Sequence, residues 1–278
     1  MKNFLLFFVV LFICSGTLFC QKVYRASEAL SVNRSYIPNA LSGGQFKWTH
    51  YESRYFNFHY LAEVWPVARL DSVFTAMDKV YLTITKLLQD TAVRNRIDVF
   101  LVGSKKDVEI ICGRACSAVA LLPERRIVFS NHPATTASAN LPHEIMHVCS
   151  MDKLGLPFDF FLSEGLASYA CDKAAFNYDF HSISKYLESE KSLPALTNLL
   201  NHFYRYNEIT GYYSGASFIK FVLGKYGLSG VKALWTYGVE KGAKKLGTTV
   251  NKLEKEWHIV FMKSKSINNY EWEKLKKM

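Results

Sequence analysis

The chain has little proline and little glycine, 7 and 15 among 278 residues. That scarcity excludes a collagen-like protein and a proline-rich linker. No segment repeats at a fixed period, which excludes a solenoid. Mean hydropathy is close to zero, so the chain is neither a polytopic membrane protein nor a disordered one. Acidic residues are outnumbered, 24 against 34 basic, for a formal charge of +10. The basic residues are dispersed and no nucleic-acid motif accompanies them, which argues against a nucleic-acid partner. What remains is a chain that is 49% hydrophobic, long and apolar enough for a substantial core.

The N-terminus stands apart. Lys2 precedes an apolar run from Phe4 to Ile13, followed by Ser15, Gly16 and Thr17. This is the pattern of a secretory signal peptide over residues 1–20, with cleavage expected before Gln21. An uncleaved membrane anchor is the alternative reading. The expected location is exported, periplasmic or secreted, with membrane contact only if the leader stays attached. Losing the leader removes Cys14 and Cys20 and leaves Cys112, Cys116, Cys149 and Cys171. An even number in an exported chain suggests disulfides. Local pairing, Cys112 with Cys116 and Cys149 with Cys171, is the favoured connectivity of three.

Residues 21–50 are polar and irregular and read as an N-terminal arm. Tyr55 to Tyr60 alternates and reads as a strand. Leu70, Phe74, Met77, Tyr81, Ile84 and Leu88 follow at steps of three and four, which predicts an amphipathic helix after Pro66. Further strands are expected at Arg96–Val102, Ser117–Leu122 and Arg126–Ser130, the last as an edge strand along a cleft. From Asp159 onward the pattern is helical, with breaks at Pro194, Gly211 and Gly227. Strands first and helices second make an α+β arrangement, with a small mixed sheet in a subdomain over 51–175 and a mainly helical subdomain over 176–278.

The chemistry sits at His143-Glu144-Ile145-Met146-His147. On a helix, positions i and i+4 share a face, so the two imidazoles can ligate one zinc ion, with Glu144 beside them as a general base. Chance yields such a motif in a chain of this composition with a probability of roughly one percent. Sixteen residues separate His147 from Glu164, which stands in Leu162-Ser163-Glu164-Gly165-Leu166-Ala167-Ser168-Tyr169. That spacing lets the first helix end at Leu154-Gly155-Leu156-Pro157 and a second bring Glu164 back as third ligand. Pro142 places the start of the first helix near Asn140, a good cap residue.

H-E-I-M-H followed by S-E-G-L-A-S-Y resembles the gluzincin metallopeptidases, and most of all the peptidase MA-like domain of exported bacterial proteins. The resemblance spans roughly residues 51–262. It includes Gly211-Tyr212-Tyr213-Ser214-Gly215-Ala216-Ser217-Phe218 and Glu254-Lys255-Glu256-Trp257. It implies a zincin-like fold with a zinc-motif helix, a Zn2+ cofactor held by His143, His147 and Glu164, and a peptide or protein substrate. Phe161 stands where the family often has Trp. No Gly-x-Met-Glu-Asn segment is present, which argues against an aminopeptidase.

The expected activity is a zinc metallopeptidase, of the endopeptidase kind, with Glu144 as general base. Tyr212, in a Tyr-x-x-Gly that resembles aminopeptidase N relatives, is the expected stabiliser of the attacked carbonyl oxygen, with Tyr213 as its competitor. His181, His202 and His258 are weaker candidates for that role. Ser168 and Asp172 are candidate acceptors for the outer N–H of the metal-binding imidazoles. The competing reading is a catalytically inactive scaffold of the same kind that holds envelope or extracellular partners.

Overall fold

The structure, a computed structural model, describes residues 46–276 except 66, 123, 131–136 and 172–177. The leader, most of the arm and Asp172 lie outside the described residues. The described chain is α+β, with a small mixed five-stranded sheet and nine α-helices. No described helix is long and apolar enough to cross a membrane.

The strands are β1 (Trp48–Glu52), β2 (Phe56–Leu61), β3 (Ile97–Val102), β4 (Ala118–Leu121) and β5 (Arg126–Ser130), in the spatial order β1-β2-β3-β5-β4. The central pairs β2/β3 and β3/β5 are parallel, and the outer pairs β1/β2 and β4/β5 are antiparallel. The expectation for Arg126–Ser130 is corrected: β5 lies inside the sheet, and β4 is the edge strand. The short turn before Arg126 folds β4 back onto the outer side of β5, so the shorter strand takes the edge.

Side-chain alternation divides the sheet. Phe56, Phe58, Val99, Leu101, Ile127 and Phe129 join the main core. Phe100, Val102 and Val128 face the other way, onto Val108 of α2 (Lys105–Cys112). The main core is closed by α1 (Val67–Leu87), whose Phe74, Met77, Tyr81 and Ile84 are buried as their spacing requires. It is closed further by α3 (Ala137–Leu154) and α4 (Phe160–Tyr169).

After α4 come α5 (Phe180–Ser189), α6 (Leu196–His202), a 3₁₀ turn (Phe203–Arg205), a π-helical turn (Ile209–Tyr213), α7 (Ser214–Lys245), α8 (Val250–Phe261) and α9 (Asn269–Lys276). α7 is interrupted at Gly227 and Gly238, whose φ of 65° and 74° only glycine adopts easily. The break at Gly227 is as expected. At Gly211 the chain does not break but widens into the π turn.

Candidate metal centre

α3 begins at Ala137, a turn earlier than expected from Pro142, so His143 lies in its second turn. Pro142 therefore sits inside the helix, where its missing N–H costs one intrahelical bond. Gly155, at φ 79°, lets the chain leave α3. The connection is fixed on α7: Trp235 donates its indole N–H to the Gly155 carbonyl at 2.9 Å, and Phe158 donates its backbone N–H to the Trp235 carbonyl at 2.9 Å.

α4 then meets α7 at two glycines. A Cβ on Gly165 would stand 2.7 Å from the Gly215 carbonyl group, and one on Gly215 would stand 2.9 Å from the Gly165 Cα. Only a glycine pair permits this crossing. The small residue at 165 thus serves contact with α7, which holds the Glu164 turn against the zinc-motif helix.

The result is a triangle of three donor atoms. His143 Nε2 lies 3.1 Å from Glu164 Oε2 and 3.1 Å from His147 Nε2, and His147 Nε2 lies 3.4 Å from Glu164 Oε2. A tetrahedral zinc ion with its usual bonds to nitrogen and oxygen sets its ligand atoms about 3.3 Å apart. Two imidazoles and one carboxylate at these separations fit zinc and leave a fourth position for water or substrate. Among the described residues no other group of three histidine, cysteine or carboxylate side chains converges in this way. Each of the three keeps a small solvent-exposed fraction, so the position is reachable.

The three groups of the triangle are electrostatically coupled. His147 Nδ1 lies 3.3 Å from the Ser163 hydroxyl. With that nitrogen protonated and donating to Ser163, Nε2 presents a lone pair to the triangle. Burial alone would lower His147 and raise Glu164. Their mutual hydrogen bond and charge prevail: His147 is held above the ordinary imidazole range, and Glu164, bonded to both histidines, well below the carboxylate range. With both Nε2 atoms unprotonated the three atoms would all be acceptors, an arrangement that a shared proton or a cation relieves.

Glu144, on the same helix, is buried at 8% exposure, and its charge helps to raise His147 after the effects of burial and Glu164. Tyr212 and Tyr213 part company in the π turn. The Tyr212 ring centre is 6.1 Å from His143 and 5.0 Å from Phe203. Tyr213 packs at 5.8 Å on Phe180, in a separate cluster. The Tyr212 phenol is pushed up to about 12, first by burial and then by the Glu164 charge, so it keeps its proton at neutral pH. π turns are frequent at functional sites because the extra residue re-aims a side chain.

The other candidates fall elsewhere. His181 is buried on the Ser217 hydroxyl at 2.7 Å, His258 lies 3.2 Å from Glu188, and His202 is exposed. The hydroxyl beside His147 Nδ1 is that of Ser163, at 3.3 Å, rather than that of Ser168. Ser163 stood in the motif beside Glu164, but sequence spacing does not show which side of the α4 turn faces α3. The disulfide expectation is also corrected: all four described cysteines are free thiols. Cys149 is buried toward Arg125, whereas Cys171 lies toward Glu144 and the His143 backbone. Burial pushes Cys149 and Cys171 up to about 12 and Cys112 up to about 11, and it raises Cys116 as well, which disfavours the thiolate at each.

No protein-family model matches the chain, and no curated protein is detectably similar to it in sequence.

Proposed function

We propose that the chain is a zinc-dependent metallopeptidase of the gluzincin type, with a zincin-like fold, acting as an endopeptidase outside the cytoplasm. The observation that carries this reading is the convergence of His143, His147 and Glu164 at zinc spacing, with Glu144 on the same helix. His143, His147 and Glu164 would hold the ion, which when bound supplies Lewis-acid activation of water and of the substrate carbonyl.

The chain's own groups do the rest. The Glu144 carboxylate takes a proton from the attacking water and delivers it to the leaving nitrogen. Tyr212, protonated at neutral pH, offers its O–H to the carbonyl oxygen as negative charge develops there. Ser163 holds the His147 ring in the tautomer that faces the site.

The edge strand β4 offers a place for an extended peptide. Ser130 donates its N–H to the Ser117 carbonyl, so alternation along the antiparallel pair turns the Ala118 and Ala120 carbonyls and the Ala120 N–H away from β5. A substrate strand pairing there suits a peptide better than a small molecule.

The test is digestion of a peptide library by the zinc-loaded chain. Cleavage should stop with a chelator and return with zinc. Glu144→Gln should keep the metal and lose roughly 10²- to 10⁴-fold in kcat. A chain that binds zinc and cleaves no peptide supports the inactive binding scaffold instead.

A further inference from the structure

Beside the triad the chain leaves large aromatic surface in water. Phe160 opens α4 and is 50% exposed, and Tyr204, in the 3₁₀ turn, is 61% exposed. Single exposed aromatics need no explanation. These two differ in their placing. Phe160 is four residues before Glu164, so both lie on one face of α4, a helical turn apart. The Phe160 and Tyr204 ring centres are 5.5 Å apart.

The pair is also rigidly tied to the site. Tyr204 contacts Phe203 at 5.2 Å, Phe203 contacts Tyr212 at 5.0 Å, and Tyr212 lies 6.1 Å from His143. Phe203 is buried against Phe161. An unbroken run of rings therefore leads from the exposed pair to a metal ligand, anchored in the core at its middle.

We propose that Phe160 and Tyr204 form an apolar shelf that receives a bulky aromatic or aliphatic side chain next to the bond being cut, and so set the substrate class of the site. The inference rests on the metallopeptidase reading. A phenyl or isobutyl group laid on the two rings removes apolar surface from water on both partners, while a glycine or alanine at that position gains almost nothing. Phe203, buried against Phe161, backs the Tyr204 ring and so limits the reorganisation that binding requires.

The experiment uses two metal-chelating probes, acetyl-phenylalanine hydroxamate and acetyl-glycine hydroxamate. Binding to the zinc-loaded chain is measured by calorimetry for the wild type and for Phe160→Ala combined with Tyr204→Ala. Both side chains are largely in solvent, so the double variant should fold and hold zinc like the wild type. The expected result is roughly tenfold tighter binding of the phenylalanine probe by the wild type. In the double variant that gap should close, with the glycine probe unchanged. Equal binding of the two probes by the wild type, or a gap that survives both substitutions, overturns the shelf while leaving the metallopeptidase reading intact. A wild-type chain that takes up no zinc overturns both.

Discussion

Two polar clusters of this chain are built on histidine, and they solve the same electrostatic problem in opposite ways. Around His181 one hydroxyl ties the cluster together: the Trp257 indole N–H donates to Ser217 Oγ at 2.9 Å, and the same oxygen lies 2.7 Å from His181 Nδ1. Either tautomer of the ring completes that bond, and the cluster is sealed at 6% exposure of the histidine. Around His147, two imidazole nitrogens and a carboxylate oxygen instead converge within 3.4 Å of one another, and solvent can reach them. A ring nitrogen on a hydroxyl is satisfied by either tautomer, whereas one N–H cannot serve three such atoms at once. Residue type alone does not tell these clusters apart; the convergence of a third ligand-type atom does.

The triangle around His147 is most vulnerable at the glycine crossing. Gly165→Ala puts a methyl group into the Gly215 backbone and must part α4 from α7. A loss of about 3 kcal/mol in unfolding free energy is expected, together with weakened zinc uptake, because Glu164 moves with the turn. Chemical denaturation and metal titration on one sample would show both. The His181 cluster, on the far side of α7, should respond to this change only through the global loss.

A smaller effect is expected at Ser163. Ser163→Ala removes the acceptor that orients His147 and should weaken zinc affinity by about 10- to 100-fold with little change in stability. Competition against a chelating dye would measure it. A Ser163→Ala chain with wild-type affinity would mean that the His147 ring is held by packing alone.

The smallest effect is a pH slope that belongs to the closed cluster. Burial lowers His181 to about 4, with Lys220 acting in the same direction and Asp179 opposing. An unfolded histidine takes up its proton near 6.5. Stability is therefore full above that pH and falls as the pH drops from about 6.5 to 4, because the unfolded chain binds the proton that the folded chain refuses. His50, lowered to about 4 by burial and by His59, adds to the same slope. In urea melts of the zinc-loaded chain, His181→Gln should flatten part of the slope and leave zinc content untouched.

The convergence of His143, His147 and Glu164 was legible in sequence because its logic is local. Two histidines one turn apart and a glutamate after a turn need only helix geometry to converge. The amphipathic spacing of Phe74, Met77, Tyr81 and Ile84 fixed α1 for the same reason. β1 was missed because Trp48-Thr49-His50-Tyr51-Glu52 looks polar, and its pairing with β2 is a tertiary fact. α2 left a signal that could have been used: Ser104 caps it, accepting the Asp107 N–H at 3.2 Å, three residues ahead of a short apolar stretch. Tyr204 could not be found from sequence. Its value comes from meeting Phe160 across a gap of 44 residues, which no spacing rule encodes.

The most direct measurement is the metal content of the purified chain at neutral pH, wild type beside Glu164→Ala. The account predicts about one zinc per wild-type chain and little or none in the variant, since three ligands are needed to hold a catalytic-type ion. A wild-type chain that carries no zinc and takes none up would contradict it, and His143, His147 and Glu164 would then be a proton-sharing cluster of the closed kind.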